Sequence, residues 1–395
     1  MNPKDFKSPL AGQVVKTLQG YWAFVPAAPP PAIEYDASLA ILLSSADAAL
    51  SELSGLGRYL PNPDLLIAPY LKREAVASSR IEGTQSDLND LLMDELAPEQ
   101  TAPGSDVSEL RNYVAAMNLG VEKLRRLPVA GRLVRDLHRV LMRGVRGVHA
   151  TPGEYRTTPN WIGPAGSTLT DAAYVPPPPD RMHDCLAAWE RFVNQRDIMP
   201  DLVQCAIMHE HFESIHPFID GNGRIGRLLI TLFLIERGRL SKPLLYLSSY
   251  IEAHRRDYYD LLQGIRTDGN WRPWLVYFLT AVRDTAREAV QRSHSLLRLR
   301  DKCRSKLGQN HRAAALLDHL FVNPYITVAR AAERLGVAAP TATNSITALE
   351  KVGMLQERTG RGWGRIWVAS QILKAVNEAN PGGKPPFPSY PPPIP

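Results

Sequence analysis

The sequence predicts a mainly α-helical body with one β-hairpin, followed by a smaller basic module. Three observations carry that expectation. Apolar residues recur at i, i+3 and i+4 through successive segments of the first 290 residues, strand-like alternation is scarce, and proline and glycine punctuate the chain between segments. At 395 residues, the chain is long for a single hydrophobic core, so two or three domains are expected.

Pro26-Ala-Ala-Pro-Pro-Pro31 reads as an extended polyproline-type spacer ahead of the first helix. Helices are expected at 36–54, 65–77, 86–96, 108–126 and 130–143. More follow at 181–196, 200–214, 225–237, 255–266 and 271–292, each with an apolar stripe at helical spacing. The hairpin is expected at 167–175, Ser-Thr-Leu-Thr-Asp-Ala-Ala-Tyr-Val, with Asp171-Ala172 as the turn between two short strands. Prolines 176–179 stiffen the loop behind it. Toward the C-terminus, 311–321 reads as a helix ended by Asn323-Pro324, and Thr327 caps a helix over 328–335 that stops at Gly336. Pro340 starts a helix over 341–352 that stops at Gly353. Two short strands, 355–358 and 365–368, then flank the turn-rich Thr359-Gly-Arg-Gly-Trp-Gly364. The stretch 381–395 is so dense in proline that a disordered tail is expected.

Composition excludes several classes. With 44% hydrophobic and 22% charged residues, the chain has an ordinary globular balance. No run approaches the ~18–20 uninterrupted apolar residues of a membrane span, and residues 1–7 lack the apolar stretch of a signal peptide. A cytoplasmic protein without a membrane partner is the expectation. Cys185, Cys205 and Cys303 are far apart and odd in number, which rules out a disulfide scaffold and any CxxC metal pair. The net charge of +6 is unevenly placed. Residues 296–370 hold twelve Lys and Arg against five Asp and Glu, a local +7, and the remaining 320 residues sum to −1.

The densest chemistry lies in His216-Pro-Phe-Ile-Asp-Gly-Asn-Gly-Arg-Ile-Gly-Arg227. Pro217 disfavours helix at His216, and a buried-helix pattern restarts at Ile225, so a glycine-rich loop opens directly onto a helix N-terminus. Gly221 and Gly223 let the backbone approach an anion, and the helix end adds partial positive charge. Arg224 and Arg227 lie on one side of the first turn, within reach of outer phosphates. Asp220 is a hard oxygen ligand suited to Mg²⁺, and His216 has a pKa suited to proton abstraction near neutral pH. Together these residues describe phosphoryl or nucleotidyl transfer. A Walker A loop is excluded because Arg224-Ile225 follows Gly223, and an HExxH zinc site because residue 213 is Glu.

The whole string resembles the signature of the Fic family, HPFx(D/E)GNGRxxR, with every defined position matched. The resemblance implies a helical bundle with a β-hairpin flap that transfers AMP from ATP to a Ser, Thr or Tyr hydroxyl of a target protein. It implies that His216 is the base and that Asp220 holds Mg²⁺, with Mn²⁺ as the alternative. Gly221, Asn222 and Gly223 would form the anion hole, within a nucleotide-binding stretch that continues through Arg224, Ile225, Gly226 and Arg227. Arg227 would grip the γ-phosphate, and Phe218 would anchor the loop in the core. Pro152-Gly-Glu-Tyr-Arg156 and Trp161-Ile-Gly163 resemble the segment before the flap, so 167–175 would dock the target by adding a strand. The region around Tyr258 and Tyr259 resembles the adenine side, where either ring could stack on the base or simply pack.

Ser78-Ser-Arg-Ile-Glu82-Gly83 resembles the family's inhibitory motif, (S/T)xxxE(G/N), placed before the signature. The resemblance implies that Ser78, Glu82 and Gly83 belong to an inhibitory helix whose Glu82 pairs with Arg227 and removes the γ-phosphate clamp. The C-terminal pattern resembles a winged helix-turn-helix. In one reading Thr341, Thr343, Asn344 and Thr347 face a DNA major groove while Arg361 and Arg365 touch phosphate. In the other the module serves dimerisation or target docking.

The expected layout is a helical region with the inhibitory helix over 1–110, a Fic core over 111–290, a basic linker and winged helix over 291–375, and a tail over 376–395. An autoinhibited adenylyltransferase that modifies a target and itself is the leading expectation. A DNA- or protein-binding regulator with a nucleotide-sensing core, or a de-AMPylating enzyme, is the alternative. A homodimer and DNA are the candidate further partners.

Overall fold

The computed structural model describes residues 1–59, 62–96, 104–145, 151–164, 166–360 and 363–377. Arg361 and the expected tail beyond residue 377 lie outside them. The chain divides into two compact units, Met1–Val290 and Gln291–Pro395.

The first unit begins with a short 3₁₀ turn at Pro3–Asp5 and an antiparallel hairpin of β1 (Gly12–Lys16) and β2 (Trp22–Pro26), in register Val14↔Phe24. Five helices follow: α1 (Ala37–Tyr59), α2 (Asp64–Ile81), α3 (Leu88–Asp94), α4 (Asp106–Lys123) and α5 (Gly131–Leu141). After the loop segment 151–178 come α6 (Pro179–Asn194), α7 (Asp201–Ile215), α8 (Asn222–Glu236), α9 (Ser248–Ala253), α10 (Arg255–Asp268) and α11 (Trp271–Leu307), which continues into the second unit.

α7 and α8 pack on each other at the centre of the bundle. α7 is buried from Leu202 to Ile215 and α8, apart from Gly223, from Asn222 to Leu234, so both are enclosed on nearly every side, although α7 also buries Gln204, His209, Glu210, His211 and Glu213. α6 covers α7; α4 packs on α5 and α2, and α2 on α9. α5 is sharply two-sided, with Leu133, Val134, Leu137, His138 and Leu141 buried and Arg132, Arg135 and Arg139 exposed. α1 is long and apolar enough to cross a membrane by length and composition alone, at a mean hydropathy of 1.3. Leu39, Ala46, Leu50 and Leu53 on it are buried within the protein.

The hairpin expected within 167–175 does not form. Thr168 donates from both its N–H (2.5 Å) and its hydroxyl (2.7 Å) to Asp171 Oδ1, and Ala172 N–H donates to Thr168 O at 2.9 Å. Asp171 therefore closes a tight turn, a side-chain alternative to strand pairing. The antiparallel contact moves upstream to a single bridge in which Ile162 and Tyr174 exchange hydrogen bonds of 2.8 and 3.0 Å. The hairpin in this unit is β1–β2, which the sequence reading missed. It packs beside that bridge: Phe24 N–H donates to Val175 O at 2.9 Å, and Met1, Ala23, Phe24, Tyr174 and Val175 share one apolar cluster.

The second unit contains α12 (His311–Val322), β3 (Tyr325–Ile326), α13 (Val328–Leu335), α14 (Ala339–Lys351), β4 (Gln356–Glu357), β5 (Trp367–Val368) and α15 (Ser370–Asn377). α12 and α13 pack on α14, and the strands form an antiparallel sheet in the order β3-β5-β4. Asn310 and Thr327 cap α12 and α13 by accepting from Ala313 and Arg330 N–H, and Gly336 ends α13 in the left-handed region. Trp363 between β4 and β5 is 94% exposed.

Candidate active site

The site is the turn between the two central helices. α7 ends at Ile215 and His216 takes a left-handed conformation, φ 48°. α8 starts at Asn222, preceded by Gly221 at φ 79°, which supplies no side-chain cap. The first backbone N–H groups of α8 have no intrahelical acceptor, so they are open to an anion along the helix dipole. A side chain at Gly221 would be strained and would press on Met142 Sδ, 2.9 Å from a built Cβ.

A shell of buried polar groups fixes the loop between them. Phe218 is fully buried, and Asn222 brackets it by accepting from its N–H and donating to its carbonyl, both at 2.8 Å. Asn160 Nδ2 donates to the same carbonyl at 2.8 Å. Arg156, 2% exposed, donates from Nε to His216 O at 2.9 Å and from Nη2 to Pro177 O at 2.5 Å. His138 stacks on Phe218, centroids 3.7 Å apart and nearly parallel. It accepts from Gly153 N–H on Nδ1 (2.9 Å), which places its proton on Nε2, facing Asp220 O at 3.0 Å. Burial pushes the His138 pKa down to about 4, so this neutral tautomer persists at physiological pH. His138, Arg156 and Asn160 received no role from sequence reasoning. For His138 the signal was a histidine on the apolar stripe of α5.

At the loop entrance, His216 is partly exposed and its Nδ1 faces Glu213 O at 3.3 Å, leaving Nε2 as the proton acceptor. Burial, then the positive charge of Arg156 and Arg266, pushes its pKa down to about 3. The Asp220 side chain is 57% exposed, with Oδ1 accepting from Gly221 N–H at 2.5 Å and Arg224 Nη2 at 3.5 Å. Arg224 also donates to Glu109 Oε2 at 2.8 Å. Arg227 is 3% exposed and has three acceptors: Ser78 Oγ (2.8 Å), Ser78 O (2.9 Å) and Glu82 Oε1 (2.6 Å). Burial favours a neutral Arg227, but the Glu82 charge outweighs it and raises its pKa. Although burial opposes it, Arg227 holds the Glu82 carboxyl below the usual range. A Cβ built on Gly223 would collide with Glu82 Oε1, so this carboxylate lies over the backbone at the start of α8.

Ser78 and Glu82 come from the end of α2, where Glu82 is the C-cap and Gly83 turns the chain at φ 100°. Ile225 is buried in the core, and Gly226 O faces His209 Nδ1 at 3.1 Å. A Cβ on Gly226 would collide with Glu213 Oε1. Of the two tyrosines, Tyr258 is 1% exposed, its hydroxyl 2.9 Å from His209 Nε2, while Tyr259 is 40% exposed.

Asp220 alone is a modest donor set for a metal. Among the described residues, no three His, Cys, Asp or Glu side chains converge as a ready-made cation site. One exposed carboxylate beside an anion cradle suits Mg²⁺ that arrives with phosphates and keeps several waters.

Residues 40–122 match the family model described as Fic/DOC family N-terminal, and residues 128–234 the one described as Fic/DOC family. The chain is 31% identical over 143 residues to "Protein adenylyltransferase Fic" of Culex quinquefasciatus, covering 35% of this chain and 25% of that protein. It is 24% identical over 197 residues to the protein of the same name in Drosophila grimshawi, covering 48% and 37%. It is 34% identical over 84 residues to a probable protein adenylyltransferase of Aquifex aeolicus, covering 21% and 26%. These matches span only a quarter to just over a third of the curated relatives' own length. The fold is shared with a crystal structure of a Fic family protein from Desulfovibrio desulfuricans at TM-score 0.56 and 22% identity, over 86% of this chain and 98% of that one. It is also shared with a Fic domain containing signaling protein from Bacteroides thetaiotaomicron at TM-score 0.50 and 17% identity, over 66% and 97%. Both regions lie in order along one chain, around a turn that carries the whole signature: the protein carries a Fic/DOC N-terminal region over residues 40–122 and a Fic/DOC domain over residues 128–234.

Proposed function

We propose that the chain is a protein adenylyltransferase that moves AMP from ATP to a hydroxyl of a target protein and of itself, and that Glu82 holds it inactive. The observation that carries this reading is the arrangement of one turn. A neutral imidazole stands at one end, an uncapped helix N-terminus with Arg227 at the other, and a carboxylate rests where an anion would sit.

In this reading the target oxygen attacks the α-phosphorus, the bond to the bridging oxygen of the β-phosphate breaks, and pyrophosphate leaves. His216 Nε2 accepts the hydroxyl proton, because Nδ1 is turned to Glu213 O. Its depressed pKa comes from burial and nearby arginines, and polyphosphate charge beside it would bring it back toward neutrality. The N–H groups of Asn222, Gly223 and Arg224 would hold the phosphates, with Arg224 beside them and Arg227 on the γ-phosphate. Asp220 would bind Mg²⁺, or Mn²⁺, which when bound offsets phosphate charge. Tyr259, the exposed ring, is the better placed of the two to meet adenine. The target would lie along the Ile162–Tyr174 segment.

Glu82 explains the resting state. While it occupies Arg227 and overlies Gly223, the γ-phosphate has neither its guanidinium nor its space. Labelled ATP tests the reaction class. With Glu82→Gly, protein-bound label is expected from [α-³²P]ATP and none from [γ-³²P]ATP. Label from the γ position alone would make the protein a kinase, and none from either would favour a nucleotide-sensing regulator.

The C-terminal unit is proposed as a winged helix-turn-helix that binds duplex DNA. Asn344 and Thr347 are exposed on α14, with Arg365 at the foot of the β4–β5 loop. A homodimer and a cytoplasmic location belong to the same proposal.

A further inference from the structure

A cleft of about 630 Å³ lies between α5 and α6, on the side of α5 opposite its apolar stripe. Arg132, Arg135 and Arg139 line it from α5, three residues on one helical face. Tyr155 and Leu186 add an aromatic ring and an aliphatic side chain to its lining. The local carboxylates are already engaged. Asp136 is paired with Lys123 and Arg139, and Glu190 accepts from Gly131 N–H at 2.8 Å. Arg132 is exposed and has no acceptor among the described residues. Arg135 uses Nε on Gly153 O (2.9 Å), with its guanidinium 5.8 Å from the Tyr155 ring centroid. The opening therefore offers guanidinium N–H groups beside an aromatic face, and its volume suits a small molecule.

Two of its walls touch the loop described above. Gly153, held by Arg135, donates to His138 Nδ1, and His138 Nε2 meets Asp220 O. The Tyr155 ring packs on Phe218 at 5.2 Å. We propose that this cleft is a second binding site, for a small organic phosphate. Its phosphoryl group sits among Arg132, Arg135 and Arg139, and its planar body lies along Tyr155 and Leu186. Occupancy is felt at the His216–Arg227 loop through Gly153 and His138. The binding does not depend on the adenylyl-transfer reading, and the test uses no activity.

The probes are phenyl phosphate and inorganic phosphate, titrated calorimetrically into the full chain. Phenyl phosphate should bind several-fold more tightly than inorganic phosphate. Its affinity should fall about tenfold in Arg132→Gln and further in Arg132→Glu, because a charge-assisted contact is lost and then reversed. In Arg227→Ala it should stay within about twofold of wild type, since Arg227 is outside the cleft. Hydrogen exchange at the Gly153 amide should slow when phenyl phosphate is bound. The proposal is overturned if phenyl phosphate does not bind, or if inorganic phosphate binds equally well. It is also overturned if both Arg132 variants keep wild-type affinity, or if Arg227→Ala abolishes binding, which would put the anion at the loop. Unchanged Gly153 exchange in the bound state would remove the coupling.

Discussion

A neutral histidine carries its proton on one ring nitrogen and can accept on the other, and His138 and His216 use this in different ways. His138 accepts from Gly153 and holds the Asp220 carbonyl, so it shapes the loop. His216 turns Nδ1 to a carbonyl and leaves Nε2 open, so it is ready to take a proton. Only the second drew an expectation from the sequence, because it sits inside a string whose every defined position matches the signature. A histidine on a helix stripe shows nothing of its partners until Gly153 and Asp220 are brought to it from 15 and 82 residues away. Glu213 is a further buried group that the sequence did not mark. Burial raises its pKa to about 7 against 4.5 for a free carboxyl, with Arg227 and Arg266 opposing the rise and Glu82 and Glu210 adding to it. The folded state therefore binds a proton that the unfolded state releases between those values. This stability is complete below about pH 4.5 and is lost as the pH rises through about 7. Glu213→Gln removes that dependence, so its melting temperature relative to wild type should climb between pH 5.5 and 8.5. A constant difference across that range would show that Glu213 does not titrate there.

Among the elements, helices were read closely and strands poorly. The 3.6-residue stripe of α5 or α10 persists over several turns, whereas the alternation in Gln13–Val15 and Ala23–Val25 is too short to stand out before its partner is known. At 167–175 the local sequence offered two structures, and Asp171 chose the turn by accepting from Thr168. The end of α2 shows how an element places two side chains on one partner. Ser78 and Glu82 are four residues apart, one helical turn, so both face Arg227. That spacing was legible; the doubled contact of Ser78 through Oγ and backbone was not. Ser78→Ala removes one acceptor from Arg227 Nε and loosens the clamp by ~1 kcal/mol. Automodification should rise about fivefold, less than for Glu82→Gly. A variant no more active than wild type would show that Glu82 holds Arg227 without Ser78.

For the whole molecule, charge and chemistry are separately placed. The local +7 of 296–370 is in the second unit, while Arg224 and Arg227 at the start of α8 are buried and paired within a nearly neutral first unit. The basic balance therefore bears on what the C-terminal unit touches and says nothing of the proposed nucleotide site. If that unit binds DNA, log K should fall linearly with log salt in a duplex-binding assay. No binding at low salt would leave it as a docking or dimerisation module. In the proposed reading, Glu82 stands in the place of phosphate in an AMP-transferring turn. That reading is tested most directly by AMP incorporation from [α-³²P]ATP into wild type, Glu82→Gly and Glu82→Gly/His216→Ala. Glu82→Gly should gain at least about tenfold, as expected for loss of one charge-assisted clamp, and the gain should disappear when His216 is also removed. Equal incorporation by wild type and Glu82→Gly at saturating Mg-ATP would contradict it.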